Sequence, residues 1–184
     1  MTTALLLIDI QNDYFPGGRM ALERMDEAAG NALALLEAFR ARELPVIHVR
    51  HLSVRPGAAF FVPGTPGADI NRLVAPAAGE KVIEKNFPNS FRNTSLADEL
   101  RAGGIDGVVI AGAMSHMCVD ATVRAAFDLG FRCTVAHDAC ATRALEFDGT
   151  TISAQDVHGA FMAALRVPYA GVVGTREAIA SLNH

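Results

Sequence analysis

Short aliphatic runs alternate with longer amphipathic stretches along this chain, and this alternation limits the possible folds more than any other feature of the sequence. The first cycle contains the run ALLLID at 4–9, an amphipathic stretch at about 26–42 and the run PVIHVR at 45–50. Apolar residues recur every three to four positions in the amphipathic stretch, and Pro45 prevents a helix from continuing into the next run. The pattern therefore predicts a β-strand, an α-helix and a second β-strand.

The same alternation continues to the end of the sequence. Four further runs predict strands: KVIEK (81–85), GVVIAG (107–112), RCTVAHD (132–138) and YAGVVG (169–174). The run at 107–112 has no polar alternation, which is typical of a strand covered on both faces. Six such strands interleaved with helices predict one α/β domain over 1–184, a three-layer αβα sandwich around an open parallel sheet. Two helix starts carry capping pairs, Ser95 with Asp98 and Ser153 with Asp156.

Composition excludes several classes of partner. The formal net charge of -4 provides no basic field for a polyanion, so we expect no nucleic-acid binding. No apolar run approaches the roughly 20 residues that span a bilayer, so we expect no membrane association. The first apolar run is broken at Asp9 and has no Lys or Arg before it, unlike a signal peptide.

Cysteine usage and hydropathy predict the cellular setting. The three cysteines, Cys118, Cys133 and Cys140, form no CxxC pair, so we expect reduced thiols and a cytoplasmic location. With 51% hydrophobic residues and a mean hydropathy of +0.24, the chain has apolar helical faces to cover. We therefore expect a homodimer or homotetramer that acts on a small molecule.

Residues with reactive side chains follow three of the predicted strands. Ligands bind at the carboxyl ends of strands in an open parallel sheet, where Asp9, Lys85 and Cys118 are expected. A helix start and a nearby ammonium both favour a thiolate, and a carboxylate within reach can accept and return a proton. Each residue alone is typical of a structural role, but the three together predict a cysteine nucleophile on strands that are neighbours at the centre of the sheet.

Three segments then resemble a known family in order and spacing. DIQNDYF (9–15), KNFPNSF (85–91) and GAMSHMCVDATVRAA (112–126) are similar to the isochorismatase-like cysteine hydrolases, which include nicotinamidases and carbamoyl-amide hydrolases. The resemblance covers nearly the whole chain. It implies a Rossmann-like isochorismatase fold with strand order 3-2-1-4-5-6, and it matches Asp9, Lys85 and Cys118 to the family's catalytic triad.

The resemblance also implies an activity. It implies a cis peptide between Ala113 and Met114, with the backbone N–H groups of Met114 and Cys118 as an oxyanion hole. A hydrolase of this kind cleaves a C–N bond of a small amide or carbamoyl compound through a thioester, without a cofactor. Two alternatives stay open: a redox-active thiol protein with Cys133 or Cys140 as the resolving cysteine, and a non-catalytic binding scaffold.

Substrate contacts are expected in the loops at the strand ends. The segment from His51 to about 80 is too long for an idle connection and is a candidate lid. Arg50 is a candidate clamp for a carboxylate. Aromatic residues in or beside these loops suggest an apolar pocket, namely Phe15, Phe60, Phe61, Phe87 and Phe91. The predicted substrate-binding residues are Gln11, Phe15, Arg50, Phe87 and Phe91.

The sequence departs from the nicotinamidase pattern at the metal site. Nicotinamidases have a D-x-H pattern after the second strand, whereas this chain has His51 and Ser53 at those positions. His48 and His51 are three residues apart along a strand and its exit, so their side chains are expected on opposite faces. We therefore predict no metal and a substrate other than nicotinamide.

Overall fold

A six-stranded parallel sheet forms the centre of the protein, whose computed structural model describes residues 2–183. The strands are β1 (Thr2–Ile8), β2 (Val46–His51), β3 (Lys81–Lys85), β4 (Ile105–Ala113), β5 (Arg132–Ala141) and, after a separate hairpin of β6 (Leu145–Phe147) and β7 (Thr150–Ile152), β8 (Gly171–Val173). Their order across the sheet is β3-β2-β1-β4-β5-β8. This order confirms the predicted three-layer fold and its 3-2-1-4-5-6 arrangement, with the last strand numbered eighth because of the hairpin.

Helices cover both faces of the sheet. They are α1 (Met25–Arg40), α2 (Leu96–Ala102), α3 (Asp120–Asp128), α4 (Ala154–Arg166) and α5 (Thr175–Ala180). Side chains of β1 alternate between two apolar clusters: Leu5 and Leu7 pack with α1 and α5, whereas Leu6 and Ile8 pack with α2, α3 and α4. Because β1 is buried on both faces, its sequence is a continuous aliphatic run. No helix within residues 2–183 is long and apolar enough to cross a membrane.

The hairpin and one helix cap differ from the sequence expectations. The antiparallel pair β6–β7 was not predicted, and its strands have only three residues each. The side chain of Ser153 accepts a hydrogen bond from the backbone N–H of Asp156, which confirms the cap of α4. The corresponding prediction for Ser95 is wrong, because its side chain makes no capping hydrogen bond at α2.

Gly112 allows β4 to lie close to β1 at the carboxyl end of the sheet. Its φ is +130°, and a Cβ there would lie 1.9 Å from the carbonyl oxygen of Ile8. No other residue type fits this position without moving one of the two strands. The close approach brings the residue that follows β1 next to the turn that follows β4.

The segment between β2 and β3 is fastened to the turn that follows β1. The backbone N–H of Asn12 donates to the carbonyl of Asp69, and the N–H of Asn71 donates to the carbonyl of Ile10. The buried carboxylate of Asp13 accepts from the N–H of Phe61 at 2.7 Å. Several hydrogen bonds therefore hold the segment against the carboxyl end of the sheet.

Candidate active site

Three residues from separate elements meet at the carboxyl end of the sheet. Asp9 directly follows β1, Lys85 is the last residue of β3, and Cys118 lies in a π-helical turn over Ser115–Val119 that leads into α3. Lys85 Nζ donates to Asp9 Oδ2 at 2.7 Å and to Cys118 Sγ at 3.2 Å. The side chains of Asp9 and Lys85 are both 0% exposed. The structure thus brings together the three residues that the sequence singled out.

Lys85 reaches this position from the edge of the sheet. β3 is the outermost strand, and β2 lies between it and β1. Neighbouring strands are about 4.8 Å apart, so the lysine side chain extends across β2 to contact Asp9. The expectation that all three residues lie on neighbouring central strands is wrong for Lys85, because β2 separates its strand from β1. Its side chain is long enough to reach Asp9 across β2.

Burial and the two neighbouring charged groups act on the pKa of the nucleophile in opposite directions. Burial raises the pKa of Cys118 well above its usual range, and the carboxylate of Asp9 raises it further, while Lys85 opposes both effects. The pKa of Lys85 is itself raised: burial lowers it, but Asp9 and Cys118 outweigh that effect. The expected help from the ammonium is therefore present but opposed by burial and by Asp9, which is placed to act as a base for the thiol.

Asp9 has a free acceptor for that proton. Its Oδ2 atom accepts from Lys85, whereas Oδ1 is buried and has no hydrogen-bond partner among the described residues. A buried carboxylate oxygen without a donor is costly in a purely structural role. At an active site the same free lone pair can accept a proton from a thiol, a leaving group or a water molecule.

A fourth residue, His51, completes the surroundings of the ammonium. His51 Nδ1 lies 3.1 Å from Lys85 Nζ, and the ligand atoms of Asp9, His51 and Cys118 all lie within 4.8 Å of one another. Such a set can hold a cation, and here the ammonium of Lys85 is hydrogen-bonded to all three. His48 points elsewhere, with Nε2 2.9 Å from Glu80 Oε2, so the two histidines have separate partners.

The turn that carries the nucleophile is tied to the end of β5. The peptide bond between Ala113 and Met114 is cis, at the position that the resemblance indicated. Ser115 Oγ donates to the carbonyl of Ala141 at 3.3 Å and lies 2.8 Å from Nδ1 of His158. Ser115 lies between the two predicted oxyanion donors, Met114 and Cys118, so these contacts hold that part of the turn against the end of β5.

The predicted substrate contacts on the first loop have structural partners. Gln11 is buried, and its amide group donates to the carbonyls of His51 and Ala68 and accepts from the N–H of His51. Phe15 is buried in the apolar cluster that includes α1. Both residues support the walls of the site in the contacts that the structure shows.

The remaining predicted substrate contacts are also engaged with other side chains. Arg50 forms an ion pair with Glu84 on the adjacent strand, and its Nε donates to the same carboxylate at 3.0 Å. The Phe87 ring lies 3.7 Å beneath the guanidinium of Arg92, and Phe91 packs against the α2 and α3 side of the core. The described contacts bring none of these side chains to Cys118.

Aromatic side chains cluster beside the triad. The sequence indicated only some of them. The ring centroid of Tyr14 lies 4.5 Å from that of Phe61 and 6.1 Å from that of Phe60. Burial raises the pKa of Tyr14, and the charges of Cys118 and Asp9 add to that effect. Phe60 and Phe61 stood among the expected loop aromatics. Tyr14 was missed, although it belongs to the same DIQNDYF segment as Asp9.

The other two cysteines are structural. Cys133 and Cys140 are free and buried in β5, and their Sγ atoms contact backbone carbonyls. Burial raises the pKa of Cys133 to about 11 and that of Cys140 to about 12. Neither thiol is poised to act as a resolving thiolate for Cys118.

Comparison with known proteins identifies the class. The family model of the isochorismatase domain matches residues 3–175. YddQ of Bacillus subtilis, an uncharacterized isochorismatase family protein, is 51% identical over 95% of this chain and 97% of its own. The maleamate amidohydrolase of Pseudomonas putida is 31% identical over 98% of this chain and 87% of its own.

A solved structure shows the same fold. The crystal structure of an isochorismatase-family protein from Oleispira antarctica superimposes with a TM-score of 0.93 at 51% identity, covering 97% of this chain and 96% of the other. The chain therefore belongs to the isochorismatase family of hydrolases, a family that includes amidohydrolases.

Proposed function

We propose that this hydrolase cleaves the C–N bond of a small amide or carbamoyl compound through a thioester on Cys118. The proposal is carried by one observation: a buried ammonium is hydrogen-bonded to both a carboxylate and a thiol at the end of the sheet. This arrangement supplies a nucleophile, a base and a fixed positive charge in a site shielded from water. The amidohydrolase activity named for the Pseudomonas putida relative agrees with it.

Acylation uses Asp9 first as a base and then as an acid. Asp9 accepts the Cys118 proton as the sulfur attacks the carbonyl carbon, which gives a tetrahedral intermediate with a negative oxygen. When the intermediate collapses, the C–N bond breaks and Asp9 returns the proton to the departing nitrogen, so that ammonia or an amine leaves. Lys85 stays protonated and stabilises the sulfur as it becomes anionic.

Deacylation repeats the sequence with water. Asp9 removes a proton from a water molecule, the oxygen attacks the thioester carbonyl, and the C–S bond breaks to release the acid product. Cys118 then recovers its proton from Asp9. In both halves the N–H groups of Met114 and Cys118 hold the oxyanion, and each such donor contributes on the order of 3 kcal/mol to transition-state stabilisation.

The decisive experiment measures ammonia release from a panel of small primary amides and N-carbamoyl compounds. We expect turnover of at least one compound, loss of that turnover in Cys118→Ala, and an acyl adduct on the peptide that contains Cys118 after acid quenching. Circular dichroism of Cys118→Ala controls for folding. Ammonia release by a folded Cys118→Ala variant would contradict the mechanism, and peroxide consumption in place of ammonia release would favour the redox alternative.

Assembly and location remain predictions. Phe147 in the hairpin and Val167 after α4 are each 76% exposed, which leaves apolar surface for contacts between subunits. We expect a homodimer or homotetramer in the cytoplasm, and light scattering coupled to size-exclusion chromatography measures the number of subunits.

A further inference from the structure

The ammonium of Lys85 has one donor more than the catalytic triad uses. A protonated lysine carries three N–H donors and no acceptor. Two of its donors are directed at Asp9 Oδ2 and Cys118 Sγ, and the third partner is His51 Nδ1 at 3.1 Å. These three acceptors surround a side chain that is 0% exposed, so each N–H has a protein partner.

This contact fixes the tautomer of His51. Because the lysine ammonium only donates, Nδ1 must accept, and the proton of the neutral ring lies on Nε2. Burial and the charge of Lys85 lower the pKa of His51 to about 4, with Arg55 acting in the same direction and Asp9 against it. At neutral pH the ring is therefore an uncharged acceptor toward Lys85.

The backbone of His51 is held on both sides by one amide group. Gln11 Oε1 accepts from the N–H of His51 at 2.7 Å, and Gln11 Nε2 donates to its carbonyl at 2.9 Å. His51 also lies in register with Lys85, and its ring centroid is 6.1 Å from that of Phe61. The imidazole is thus fixed at the end of β2, the strand that the lysine side chain must cross.

We propose that His51 is a positioning residue that sets the orientation of the Lys85 ammonium. By accepting the third N–H, it directs the other two at Asp9 and Cys118. With only two acceptors one buried N–H is left without a partner, so a shift of the ammonium away from the sulfur toward another acceptor costs less; the third acceptor satisfies that N–H and stabilises the orientation that serves Asp9 and Cys118. The consequence for turnover rests on the proposed hydrolase function, but the hydrogen-bond arrangement does not.

The test compares His51→Ala with His51→Asn, whose side-chain oxygen retains an acceptor. In the hydrolase assay we expect kcat to fall about 10- to 100-fold in His51→Ala with KM changed less than about threefold, and most of the loss to be restored in His51→Asn. His48→Asn, the same substitution on the same strand, should keep kcat within about twofold. Equal loss in the Ala and Asn variants, or no loss in either, would overturn the proposal.

Two measurements need no substrate. The rate at which iodoacetamide alkylates Cys118, followed by mass spectrometry across the pH range, should shift to higher pH in His51→Ala and return toward the wild-type curve in His51→Asn. In wild-type protein at neutral pH, ¹⁵N NMR should place the His51 proton on Nε2. A proton on Nδ1 overturns the proposal even if the variants do not fold.

These readouts separate the two proposals. If wild-type protein hydrolyses no amide or carbamoyl compound, yet the alkylation and NMR results are as expected, the proposed function fails and the role of His51 stands. If wild-type turnover depends on Cys118 but both His51 variants match wild type, only the positioning role fails.

Discussion

Removal of the Lys85 ammonium should destabilise the fold because it leaves a carboxylate buried without its counter-ion. Lys85 Nζ lies 2.7 Å from Asp9 Oδ2, and both side chains are 0% exposed. At an effective dielectric constant of roughly 20, Coulomb's law gives about 6 kcal/mol for this pair before desolvation is subtracted. Breaking a buried pair by removing one partner typically costs about 3–5 kcal/mol, so we expect a loss in that range for Lys85→Met.

A double-mutant cycle distinguishes this charge effect from loss of packing. The free energies of unfolding of wild type, Lys85→Met, Asp9→Asn and the double variant are measured by urea denaturation at pH 7. We expect the double variant to be less destabilised than the sum of the single variants by about 2 kcal/mol or more, because no charge then remains buried. Additive losses, or a Lys85→Met variant within about 1 kcal/mol of wild type, would refute the reasoning.

Three further predictions concern stability. Gly112→Ala should cost more than about 3 kcal/mol in urea denaturation because its Cβ meets the β1 backbone, whereas Gly30→Ala, at an open helical position, should stabilise by about 0.5–1 kcal/mol. The pKa of Glu80 is lowered to about 2 by its hydrogen-bonded guanidinium partner, so its stabilisation is present above pH 4.5 and is lost as pH falls toward 2. The stability gap between wild type and Glu80→Gln at pH 7 should therefore shrink by pH 3, and a constant gap would contradict this assignment. Ser153→Ala should cost about 1 kcal/mol in thermal unfolding, while Ser95→Ala, which loses no cap, should stay within about 0.5 kcal/mol; equal effects would contradict it.

The sheet was predictable because hydrophobic burial specifies it. The run at 4–9 has aliphatic residues on both faces, and both faces of β1 are covered by helices. The hairpin β6–β7 was not predictable from the same signal, because its strands are short and their residues are mostly exposed. The missing cap at Ser95 reflects local geometry: its backbone has ψ of 4° instead of the extended value that capping serines adopt.

The triad was predictable because strand ends gather at one edge of a parallel sheet, and Asp9, Lys85 and Cys118 each lie at or after the end of a strand. The direction in which the pKa of the Cys118 thiol is shifted was not, since burial and a neighbouring carboxylate outweigh the ammonium. The substrate contacts stay predictions, and the structure shows that one of these residues, Arg50, pairs with Glu84 across the strand pair. The role of His51 depends on a lysine side chain crossing β2, which only the three-dimensional arrangement reveals.

The placement of Lys85 on the outermost strand has a consequence for heat inactivation. β3 is five residues long and pairs within the sheet only with β2. The other two triad residues follow β1 and β4, which each pair with a strand on both sides, so β3 is the least supported of these three strands. Brief detachment of this strand withdraws the cation while β1 and β4 remain paired, and such partial opening requires less free energy than global unfolding. The enzyme should therefore lose catalytic power on warming before its helical circular dichroism signal declines.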